Sequence, residues 1–170
     1  TDVYGDSFTF AGLFFAPESF ADFALSTLLI AGAVSRFGIG LLADVYDNRH
    51  ILTGTLVLAT LWLSLLSFMH LSPLALLLVL ALFGGFFWGN SPARDSLISD
   101  LSPAAEEGRT FGYLWTSSRV FAAISPTLVG FIADTAGIRT GFGYLTGAVL
   151  LATLAAFSLY SDRIYTAATG

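Results

Sequence analysis

The stretch Ser35–His50, SRFGIGLLADVYDNRH, sets an arginine inside an apolar run and closes that run with an aspartate and a mixed-charge loop. Reading backwards, residues 23–43 carry Arg36 as their one charge; reading forwards, residues 51–69 carry none. A bilayer core about 30 Å thick needs roughly 20 apolar residues in a helix. Both segments meet that length. The stretch therefore reads as the end of one membrane span, a short polar loop and the start of the next.

The same criterion extends along the chain. Residues 71–93 and 140–161 carry no charge, and residues 110–133 carry only Arg119. Five spans result, at 23–43, 51–69, 71–93, 110–133 and 140–161, and the expected fold is an all-α membrane protein. Composition agrees: only 11% of residues are charged, against about 25% in soluble domains. All 7 basic residues are arginine. The absence of cysteine excludes disulfides and thiolate metal sites. A net charge of −5 argues against a nucleic-acid partner. Ser, Asp and His form no catalytic arrangement, and no metal or phosphate-loop spacing appears, so no enzyme and no cofactor is implied.

Residues 1–22 are read as an extracytoplasmic or interfacial segment. Within them Ser7–Ala21 is aromatic but too short to span and is interrupted by Pro17; it suits either the end of a preceding span or an interfacial helix. The polar, acidic start TDVYGDS shows no cleavable signal, and a first residue of Thr is compatible with a piece of a longer protein. Arginine placement sets the orientation. Arg49, Arg94, Arg109 and Arg163 fall on one side and Arg139 on the other. The basic side is cytoplasmic, so the N-terminus is expected outside and residues 162–170 form a cytoplasmic tail. The plasma membrane is the expected location and the lipid bilayer the first partner.

Two spans close alike: Gly40-Leu-Leu-Ala-Asp44 ends the first and Gly130-Phe-Ile-Ala-Asp134 ends the fourth. Three spans of chain separate them, so they face opposite ways, and an inverted repeat of this kind is how many secondary transporters are built. Abundant Gly, Leu and Ala leave chance as the competing explanation.

The segment Gly40-Leu-Leu-Ala-Asp44-Val-Tyr-Asp-Asn-Arg49-His-Ile-Leu52 resembles the cytoplasmic loop motif of the major facilitator superfamily, with Val45 where a basic residue is usual. Pro126 through Asp134 to Gly137, followed by Gly141-Phe142, is similar to the family's eleventh helix and its exit loop. The resemblance implies that the five spans make most of one six-helix half of a major facilitator fold. It implies helices eight to twelve, the C-terminal half, with helices two to six as the other frame. The missing N-terminal half would then be a partner. The resemblance also implies a gating role for the loop group Gly40, Asp44, Arg49 and Asp134. From the residues alone, Asp44 could pair with Arg49 or face a helix N-terminus, or the segment could be a solvated turn.

Arg36 lies eight residues before Asp44, about 12 Å from the basic edge, and Arg119 ten residues after Arg109, about 15 Å from it. An intramembrane arginine is costly unless it meets water, a partner or an anion. No carboxylate sits at matching depth; any proton coupling is expected in the missing half. Both arginines share their helical side with small residues, and Trp115 lies one turn from Arg119, placed for a cation–π contact. A guanidinium fork matches a carboxylate at two points, which makes the pair a candidate anion clamp. The structural alternatives are snorkelling, backbone contact or a carboxylate in the other half. The run Phe23 to Gly40 is similar to the eighth helix of monocarboxylate and oxalate porters, with Gly32 where the former carry an acidic residue. That likeness implies substrate contact by Arg36, and by Arg119 on the eleventh helix.

Glycines 84, 85 and 89 suit tight helix packing. Trp88 and Asn90, on the same span, are candidate cavity-lining groups. His50 and His70 read as interfacial anchors. The expected substrate contacts are thus Arg36, Arg119, Trp115, Trp88 and Asn90. The expected function is secondary active transport of a small-molecule solute, an organic anion such as a carboxylate, by alternating access. The alternatives are a multidrug-type efflux transporter of the same fold and a non-transporting truncated membrane module.

Overall fold

The structure, a computed structural model, describes residues 8–10, 13–15 and 17–160. Two three-residue strands, β1 (Phe8–Phe10) and β2 (Leu13–Phe15), pair antiparallel, with Phe8 opposite Phe15. Six helices follow: α1 (Pro17–Ala43), α2 (Asn48–Phe68), α3 (Pro73–Gly89), α4 (Ser91–Leu101), α5 (Glu107–Ala136) and α6 (Ile138–Phe157). With α3 and α4 taken as one span, five helices are long and apolar enough to cross a membrane. Among the described residues, this strand pair precedes α1 in the N-terminal region. Pro17 opens that helix rather than interrupting one, because a first-turn residue has no intrahelical N–H bond to lose. The expected tail, residues 162–170, lies outside the described residues.

Local chemistry sets the other ends. Asp47 caps α2, its carboxylate accepting from the Arg49 N–H at 2.9 Å. Ser72 precedes Pro73 and caps α3. The α5–α6 turn passes through Gly137 at φ 89°, a conformation glycine adopts without steric cost. Helical structure does not stop at the charged pair Arg94-Asp95, since α4 runs on to Leu101. A helix keeps its backbone bonds where it leaves the apolar slab. In the turn between α4 and α5 the Ser99 hydroxyl donates to Glu107.

The core sits on α2. Ala59, Leu63 and Leu66 of α2 are buried against Leu76 and Val79 of α3 and Val149 of α6. Two hydroxyl contacts join α2 to α6, Thr60–Thr153 and Ser67–Thr146, each at 2.9 Å. On its other flank α3 meets α1 across a glycine face. A Cβ on Gly32 would lie 2.8 Å from the Trp88 Cβ and 3.1 Å from the Gly84 carbonyl oxygen. Only hydrogen side chains let the two backbones approach so closely. The helices thus follow one another in the order α1, α3, α2, α6, α5, an arc with α1 and α5 at its two ends. No residue of α5 is buried among the described residues. The open side of this arc carries the cleft described next.

Candidate functional site

A cleft of about 840 Å³ opens between α1, the α3–α4 junction, α5 and α6. All five expected substrate contacts line it: Arg36, Trp88, Asn90, Trp115 and Arg119. The α3–α4 junction and α5 supply most of its lining. Asn90 ends α3 and precedes α4 with φ −72° and ψ −7°, so the chain stays helical while its hydrogen-bond ladder is interrupted at Pro92. Trp88, Asn90, Ser91 and Arg94 all come from this turn and reach the same cleft.

Three guanidinium groups face the cleft, each with different company. The Arg36 Nε donates to the Trp88 carbonyl at 3.2 Å. Arg94 donates to the neighbouring Asp95 carboxylate from Nε at 3.0 Å and Nη2 at 2.8 Å. Arg119 has no hydrogen bond or ion pair among the described residues; its guanidinium lies 5.9 Å from the Trp115 ring. Arg94 sits 5.7 Å from the same ring. Trp115 therefore carries two cations, which draw on the negative face of one indole. Asn90 is only 5% exposed, and its side-chain amide bonds to none of the described residues.

Arg94 is the member of this group that sequence reasoning missed. The sequence marks it only as a loop charge on the cytoplasmic side. Its signal was the spacing Asn90 to Arg94, one helical turn, which becomes visible once the helix is known to continue past Pro92.

The loop group is only partly brought together. Gly40 and Asp44 share a smaller pocket of about 340 Å³ with Arg36, Pro92 and Ser96. Asp44 is exposed and pairs with no described residue. The Asp44–Arg49 pair considered above does not form. Arg49 Nε lies 3.4 Å from Asp47 instead, because Asp47 is the α2 cap and is held over that first turn. Arg49 also reaches the Leu159 carbonyl at 3.5 Å, and the Asn48 amide donates to Ser96 Oγ at 2.9 Å. The loop thereby ties the start of α2 to α4 and to the end of α6. Asp134 lies apart, exposed near the end of α5. His50 packs edge-on against Tyr160 at 5.3 Å. No group of three or more His, Asp or Glu side chains among the described residues could hold a metal ion.

A cleft lined by arginine and tryptophan within a five-span bundle calls for comparison with known membrane carriers. The family model described as Major Facilitator Superfamily matches residues 4–168. The chain belongs to the major facilitator superfamily. Its five spans make most of one six-helix half of that fold, and it is an integral membrane protein of a transporter family. Among curated relatives it is 29% identical over 135 residues to the multi-drug resistance efflux pump PmrA of Streptococcus pneumoniae, covering 79% of this chain and 33% of that protein. It is 37% identical over 93 residues to the multidrug resistance protein MdtG of Serratia proteamaculans, covering 55% of this chain and 21% of that protein. The chain thus spans a third or less of the relatives it matches. No solved structure matches it.

Asn90 offers a first test within this major facilitator half. Asn90→Ala is expected to leave folding stability within about 1 kcal/mol, since no described hydrogen bond is lost. Solute affinity is expected to fall by roughly tenfold, the worth of one hydrogen bond. Thermal unfolding and equilibrium binding, measured side by side, check the pair; a large stability loss would make Asn90 a structural group.

Proposed function

We propose that this chain forms one wall of the pathway of a secondary active transporter that moves small organic solutes across the plasma membrane by alternating access. The proposed frame is the C-terminal half, helices eight to twelve, with the N-terminus outside and the C-terminus in the cytoplasm. The proposed solutes are amphipathic organic anions, an aromatic body with a carboxylate. The observation that carries this reading is Arg119, a guanidinium in the cleft with no hydrogen-bond or ion-pair partner among the described residues, standing over Trp115 in a cleft that Asn90 also lines. A carboxylate would complete the charge that the fold leaves open, and an aromatic body would lie along Trp88 and Trp115.

A second reading, export of drug-like compounds without an anionic group, rests on two observations. One relative is named a multi-drug resistance efflux pump and the other a multidrug resistance protein. Two of the three arginines, Arg36 and Arg94, already have partners inside the chain. The two readings part on charge. Vesicles carrying the complete gene product should move a labelled aromatic carboxylate at least tenfold better than its neutral methyl ester, with competition by other aromatic acids. Equal movement of acid and ester, or movement of the ester alone, would sink the anion reading and leave drug-type export.

A further inference from the structure

Pro92 has no N–H, so the carbonyl of Trp88, four residues earlier, lacks its helical donor at the α3–α4 junction. Membrane helices tolerate such a break only where another group satisfies the freed carbonyl. Two donors converge on this one: Ser91 Oγ at 2.9 Å, from the same turn, and Arg36 Nε at 3.2 Å, from α1. One turn earlier Ser35 Oγ donates to the Gly85 carbonyl at 2.6 Å. Consecutive residues of α1 thus bond the backbone of α3 directly. The glycine face at Gly32, Gly84 and Gly89 brings α1 near enough for them to reach.

We propose that Arg36 is a positioning residue of the cleft: with Ser91 it caps the Trp88 carbonyl that Pro92 leaves open, and so fixes the turn that presents Trp88, Asn90 and Arg94. Its action on a solute passes through that turn. The chemistry explains the choice of residue. Nε donates from partway along a planar fork, so the same side chain can hold a carbonyl and still line the cleft with its outer nitrogens. A charged donor also makes the stronger bond where water is scarce. Only the expectation for solute binding rests on the transport reading above; the capped turn itself does not.

The test is a double-mutant cycle in the complete gene product: Arg36→Gln, Pro92→Ala and the two combined. Alanine restores the backbone N–H that Trp88 lacks, so the arginine becomes dispensable if capping is its role. Arg36→Gln alone should speed backbone hydrogen exchange across residues 88–94 by about tenfold and weaken binding of an aromatic carboxylate by a similar factor. In the Pro92→Ala background the same change should alter both by less than twofold. An equal effect of Arg36→Gln in both backgrounds would overturn the proposal. If Arg36→Gln alone fails to fold in membranes, rescue of folding by Pro92→Ala supports the proposal and lack of rescue overturns it. Hydrogen exchange needs no solute. A cycle that closes in exchange while no carboxylate binds would retain the positioning role and retire the anion reading.

Discussion

Gly84→Ala is expected to force α1 away from α3 and to destabilise the bundle by about 3 kcal/mol, the upper end of the usual cost of overpacking. A Cβ at Gly84 collides with the Leu28 carbonyl group, and lies 3.0 Å from the Leu28 Cγ. A flexible side-chain end could rotate away, but a backbone carbonyl inside a helix cannot, so the helices themselves must part. The displacement would not stay local. The Ser35–Gly85 and Arg36–Trp88 bonds cross the same contact and would lengthen together. Gly54→Ala on the exposed side of α2 is the control. Nothing lies within 4 Å of its Cβ, and alanine there should be neutral or stabilising by up to about 1 kcal/mol. Unfolding of both variants in the same lipid or detergent, against the unmodified protein, measures the difference. Equal stability of the two would mean that α1 and α3 do not meet this closely.

The five spans were legible because hydrophobic length is a one-dimensional property of a chain, and bilayer thickness supplies the ruler. Helix ends were less so. Charges after Ala93 mark the end of an apolar run in the sequence, yet charge limits a span and not a helix. Pro17 and Pro92 were both ambiguous, since proline is tolerated where the missing N–H costs nothing or where a neighbour compensates. For Pro92 the compensating donors are the adjacent Ser91 and Arg36; the latter is 56 residues away in sequence, and no local pattern encodes its contact.

The site divides along the same line. Arg119 and Trp115 were readable as a pair because three- and four-residue spacings share a helical side. Arg36 and Arg119 were recognised as occupying similar depth by counting residues from the basic edge, and both do reach one cleft. The second cation over Trp115, Arg94, needs α4 folded back beside α5. The loop misled for a different reason. Asp44 and Asp47 were both within reach of Arg49, and the capping geometry of α2, which chose between them, is a backbone property.

Arg119→Gln is expected to weaken binding of an aromatic carboxylate by ten- to a hundredfold and to leave its neutral ester almost unchanged. A hydrogen bond to a charged group contributes about 1.5–3 kcal/mol, and each 1.4 kcal/mol is a factor of ten. Glutamine keeps the polarity and much of the length but removes the charge and the fork. Stability should hardly follow, because Arg119 gives up only its contact with Trp115, worth about 0.5–1 kcal/mol in the open. Arg36→Gln should behave differently, losing affinity and backbone protection together, since its Nε already holds a carbonyl. Arg119→Lys should fall between, because an ammonium keeps the charge but meets a carboxylate at one point rather than two. Titrations of acid and ester against each variant check this ordering. A loss shared equally by acid and ester would make Arg119 a group that shapes the cleft. No loss for either would put the solute elsewhere, and the cost of an intramembrane guanidinium would then have to be met by a carboxylate or water outside the described residues.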